Sequence, residues 1–158
     1  MLTPLQEDAW EGRIAAEVRS MYFGDLANRY STHKQWITGA SFFLSSGAAA
    51  TLVAKLPVAV PITLSVLVAL MTAYAVAVNL DSKIRTMAKL HYAWSEIGND
   101  YKRLWVNSYS DQAEAELADL HRREAELSEL ATTDAPNDRK RMEHWTDQVF
   151  KLNGLPTA

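Results

Sequence analysis

ITGASFFLSSGAAATLVAKLPVAVPITLSVLVALMTAYAVAVNL, residues 37–80, decides the fold of this chain. Lys55 is its only charged side chain. As one helix these 44 residues would run to about 66 Å, roughly twice the hydrocarbon core of a bilayer. The stretch breaks itself near its middle, where Lys55, Pro57 and Pro61 bring a charge and two residues without a donor N–H. Read as two segments, 35–54 and 58–79, each supplies about the 20 apolar residues a membrane-crossing helix needs. A buried soluble hairpin is the competing reading. It fits less well, because soluble core helices are usually amphipathic and shorter.

The bulk numbers hide this pattern. A mean hydropathy of -0.17 reflects two charged arms flanking an apolar centre. At 158 residues the chain has the length of one domain. A net charge of -3 is too small to point to nucleic acid as a partner. No cysteine is present, which removes disulfides, thiolate nucleophiles and cysteine metal sites. Residues 1–34 carry Glu7, Asp8, Glu11 and Glu17 and do not read as a signal peptide, so the first apolar segment is expected to be a retained anchor. Arg29 and Lys34 precede that segment, and Lys83, Arg85 and Lys89 follow the second, against Lys55 alone between them. The positive-inside rule then places both termini in the cytoplasm and the short turn outside. Tyr30 and Trp36 sit where an interfacial aromatic belt is expected.

The arm 1–34 opens with Thr3, Pro4 and Gln6, a capping box with proline at the first helical position. Trp10, Ile14, Val18 and Met21 give it one apolar face, and Gly24 marks a possible bend. The first apolar segment is rich in small and hydroxylated residues. Thr38, Ser41 and Ser45 share a face, and Gly39 and Gly47 permit close helix approach. In the second, Ser65, Thr72 and Asn79 recur at heptad spacing on one stripe. These are candidate pore-lining or helix-packing residues; ordinary interhelical hydrogen bonding is the plainer alternative.

No proline or glycine separates Pro61 from Gly98, which predicts that the second segment continues out of the membrane as a helical stalk. Leu80, Ile84, Met87, Leu90, Trp94, Ile97, Tyr101 and Leu104 follow one another in steps of three or four, with His91 and Trp105 beside them. Leu90, Trp94, Ile97, Tyr101 and Leu104 are its expected packing core, and their bulk suits a helical bundle better than a two-stranded coil. After Asn107–Ser110 a new helix is expected from Asp111, with Glu114 completing its cap and Leu117, Leu120, Leu127 and Leu130 as its stripe. A short turn favours antiparallel return along the stalk. A second break at 132–138 leads to a last helix over about 136–151, ended by Gly154 and Pro156, with 153–158 as a tail. The fold class is therefore all-α: a two-transmembrane hairpin over 35–80, with the N-terminal helix and the stalk and return helices of 81–152 forming a cytoplasmic bundle.

Chemistry-bearing motifs are sparse. His33, His91, His121 and His144 are scattered over separate elements with no ligand spacing, and there is no phosphate loop or nucleophile elbow. No catalytic residue, metal site or cofactor is expected. Arg122-Arg123 and Arg139-Lys140-Arg141 are weak anion candidates, since acids surround both clusters and a solvated face is the simpler reading.

The order of elements resembles the SLATT family of bacterial two-transmembrane effectors over about residues 21–136. Tyr30 and His33 before the first segment carry the likeness, with His91, Trp94, Tyr101 and Leu104 on the stalk and the 116–131 helix ending before Pro136. The resemblance implies an inner-membrane protein of a bacterial, anti-phage conflict system. It would act by homo-oligomerising and permeabilising or depolarising the membrane when a sensor protein or nucleotide second messenger fires. A membrane-anchored adaptor that recruits a cytoplasmic partner is the alternative function.

Overall fold

The computed structural model describes residues 3–46, 57 and 59–156. All regular structure among them is α-helical: α1 (Pro4–Ser45), α2 (Ala59–Ala77), α3 (Leu80–Val106), α4 (Ala113–Asp134) and α5 (Arg139–Leu152). The chain forms two compact units. One is Met1–Leu26 with Arg85–Ala158; the other is Ala27–Ile84. The division within α1 falls at Leu26–Ala27.

Helix α1 begins with the reciprocal cap its sequence calls for. Thr3 N–H donates to Gln6 Oε1 at 3.0 Å, and Gln6 N–H donates to Thr3 Oγ1 at 3.3 Å. From there it stays helical to Ser45, so the arm and the described part of the first apolar segment, up to Ser45, are one element. Nothing between Pro4 and Ser45 removes a backbone donor, and glycine alone does not end a helix.

The larger unit is built on α3. Met87, Leu90, Trp94, Ile97, Tyr101 and Leu104 are all essentially inaccessible to solvent. Burying each such side chain is worth roughly 1.5–3 kcal/mol, which makes this seam the main source of the bundle's stability. Helix α1 packs on it antiparallel, and glycines set the separation. A Cβ on Gly12 would stand 2.5 Å from Tyr101 Cζ, and one on Gly24 3.0 Å from His91 Nδ1. Gly24 is therefore a site of close approach within the unbroken helix α1. The opposite edge of α1 holds α5, where Ile14, Val18 and Val149 are buried with Trp10, Met142, Trp145 and Phe150 around them.

Polar links fix the register of these helices. Arg19 stacks 4.5 Å above the Trp94 ring and pairs with Glu124, which also accepts from the Tyr101 hydroxyl at 3.1 Å. Burial, and then the Glu124 carboxylate beside it, push the Tyr101 phenol well above its ordinary value. Arg123 pairs with Asp100 at 2.7 Å and holds α4 along α3. On the α5 side, Arg141 bridges Asp25 at 3.0 Å and Asp138 at 3.1 Å, while the Tyr22 hydroxyl donates to Pro136 O at 2.5 Å.

Two helix starts differ from the sequence expectation. Helix α4 begins at Ala113 after Gln112, with no side-chain cap, instead of at an Asp111 cap. Helix α5 begins at Arg139, its cap supplied by Asp138, which accepts from Arg141 N–H at 3.2 Å. A third difference is larger. The expected continuous helix through 61–98 is interrupted at Val78–Asn79, with Asn79 at φ 49. Asparagine tolerates this left-handed conformation better than most residues, so it can end a helix where glycine is absent. Its carbonyl then accepts from Ser82 and Lys83 N–H at 3.1 and 3.2 Å and starts α3.

Candidate functional site

The unit Ala27–Ile84 is a helical hairpin made from the second part of α1, helix α2 and the first turn of α3. Ile37 and Leu80 are buried, and the His33 and Tyr74 rings lie 6.1 Å apart at a 44° tilt. Lys34 Nζ meets Asp81 Oδ1 at 2.6 Å, and Lys83 Nζ lies 5.9 Å from the Tyr30 ring centroid. Charges and amphipathic rings are thus gathered at the end of the hairpin nearest Asn79.

Beyond that end the surface is apolar and outward-facing. Trp36 is 75% exposed, Phe42 77% and Val76 74%, and Phe43, Ile62, Val66, Leu67 and Leu70 are also exposed. Scattered exposed apolar residues are normal on any protein, but a contiguous set of large ones marks an interaction surface. Phe42 and Phe43 were not singled out in the sequence; two adjacent phenylalanines among small residues were the available signal.

Several hydroxyls on this surface are satisfied by nearby backbone carbonyls. Thr63 Oγ1 donates to Ala59 O and Thr72 Oγ1 to Val68 O, both at 2.9 Å, and Ser46 Oγ donates to Phe43 O at 2.7 Å. Such back-bonding removes the cost of placing a hydroxyl in an apolar medium. Thr38, Ser65, Thr72 and Asn79 are exposed and Ser41 is half-buried, so the hairpin's own packing does not enclose the two polar stripes. Asn79 stands at the helix break instead of on a helical stripe. Ser45 ends α1, and Gly47 and Lys55 lie outside the described residues. Among the described residues no single helix is long and apolar enough to cross a membrane; Ile62–Ala77 and Leu80–Val106 reach that length and apolarity only as a pair, bent by 41° at their break.

The arginines of the two basic clusters are paired with acids. Arg122 pairs with Asp119 and Glu126 and Arg139 with Glu143, while Arg123 and Arg141 hold the helix-linking carboxylates described above. Lys140 is exposed. The four histidines stay apart on α1, α3, α4 and α5, and no three His, Asp or Glu side chains gather as a metal site among the described residues. Comparison of the chain with protein-family models, curated proteins and solved structures finds no match.

Proposed function

We propose that the chain is a membrane-embedded effector whose apolar hairpin lies in the bacterial inner membrane, with both termini cytoplasmic. In this reading it homo-oligomerises and permeabilises or depolarises the membrane when activated. The observation that carries the proposal is the outward-facing apolar surface of the hairpin, from Trp36, Phe42 and Phe43 across to Ile62, Leu70 and Val76. In water that surface would drive aggregation; in lipid it is matched. The two spans, 35–54 and 58–79, take in residues outside the described ones. The basic and aromatic groups near Asn79 supply the cytoplasmic interface.

Permeabilisation requires several copies, since two helices cannot enclose a channel. The small residues of α1 and the exposed stripe of Ser65 and Thr72 suit packing between subunits, which in lipid depends on close approach. With no charge on either span's polar stripe, the opening is narrow and weakly selective. The resemblance to SLATT effectors supports the same reading. The adaptor reading keeps the hairpin as a tether and assigns the work to the bundle. Induced expression in cells with a potential-sensitive dye separates the two: the effector collapses the dye signal and arrests growth, whereas protein that reaches the membrane without changing the signal is an adaptor.

A further inference from the structure

The bundle contains a polar pocket that neither the sequence motifs nor the membrane reading uses. It is a cavity of about 270 Å³ between α1 and α3, lined among others by Arg13, Ser20, His91, Trp94, Asn99 and Lys102. We propose that it is a binding site for a small phosphate-bearing anion. The inference is independent of the hairpin and of what the hairpin does.

Charge is the first ground. The arginines on the other faces of the bundle are matched by acids: Arg19, Arg103, Arg122, Arg123, Arg139 and Arg141 each have a carboxylate partner. Arg13 and Lys102 have none among the described residues; Arg13 rests 5.1 Å over the Trp10 ring instead. The one carboxylate on the pocket wall, Glu17, is approached by Asn153 Nδ2 at 3.4 Å. Two uncompensated cations therefore face one acid in one cavity.

Hydrogen bonding is the second ground. Trp94 is fully buried, and its indole N–H has no acceptor among the described residues. A buried donor without a partner is costly, and it leaves this wall of the cavity short of acceptors. His91 is held by its Nδ1, 2.7 Å from Ser20 O, which makes Nδ1 the donor and leaves Nε2 for another partner. Ser95 and Asn99 add further donors to the wall. Cations and donors in excess of acceptors select an oxyanion, and the arginine fork favours phosphate geometry. The phosphate could belong to a soluble metabolite or to a lipid headgroup; the chemistry recognised is the same.

The test follows the Trp94 indole ¹H–¹⁵N resonance of the full chain in a phosphate-free detergent. Inorganic phosphate is titrated at constant ionic strength, and in a parallel arm phosphatidylglycerol is added to the micelles. A saturable shift with inorganic phosphate, weakened at least tenfold by Arg13→Gln and by Lys102→Gln but not by Arg139→Gln, supports a soluble ligand. The same pattern with phosphatidylglycerol alone supports a headgroup. Both Arg13 and Lys102 reach the surface, so these variants should retain the helical circular-dichroism spectrum. A shift that does not saturate in either arm, or that persists unchanged in both variants, overturns the proposal.

Discussion

The Tyr101 ring lies directly over Gly12, so close that a Cβ there would sit 2.5–2.9 Å from three ring carbons. Tyr101 is fully buried and cannot swing away. Gly12→Ala should therefore destabilise the bundle by about 1–3 kcal/mol despite the better helix propensity of alanine. Gly98 is the internal control: its Cβ would meet Ala16 Cβ at 3.7 Å, an ordinary contact. Gly98→Ala should be neutral or stabilising by up to about 1 kcal/mol. Thermal melts of the two variants by circular dichroism should move in opposite directions or, at the least, separate clearly.

Tyr101 also makes the bundle sensitive to alkali. Its folded phenol holds the proton more tightly than the unfolded one because of burial and the neighbouring Glu124. The folded state then binds more protons than the unfolded state once pH passes the unfolded value near 10, and stability falls as pH rises further. Below that pH the contribution is complete. Tyr101→Phe, which costs about 1 kcal/mol at neutral pH by losing the bond to Glu124, should show a smaller loss between pH 9.5 and 11.5. Parallel melting curves for the two proteins across that range would remove Tyr101 as the cause.

Asn79 joins α2 to α3 in a left-handed conformation, at φ 49. Asn79→Gly should leave stability within a few tenths of a kcal/mol, while Asn79→Val should cost about 1–2 kcal/mol, because a β-branched residue is strained there. Equal melting temperatures for the glycine and valine variants would mean that the joint straightens freely.

How far the fold could be read from residues alone varies along the chain for physical reasons. The seam from Met87 to Leu104 was legible because its heptad-like spacing survives in the bundle as a row of fully buried side chains. The Thr3–Gln6 cap was legible because it is wholly local. The break at Asn79 was not: asparagine carries a weaker signal than proline or glycine, and neither of those occurs between Pro61 and Gly98. Gly24 read as a possible bend, since only the packed structure reveals His91 above it, as it does Tyr101 above Gly12. The solvated face preferred for the basic clusters rests on acids close in sequence, and Arg122 and Arg139 are indeed matched by acids three or four residues away, whereas Arg13 and Lys102, far apart in sequence, come to line one cavity only through the packing of two helices.

The effector reading is tested most directly by release of a small encapsulated dye from liposomes carrying the purified full-length chain. Reconstituted wild-type protein should release the dye, with an initial rate that rises more steeply than linearly with the protein-to-lipid ratio, as an assembly of several copies requires. Release should fall when Phe42 and Phe43, exposed on the hairpin, are both replaced by serine. Liposomes that contain inserted wild-type protein and retain their dye at every ratio would contradict the account and leave the hairpin as a tether.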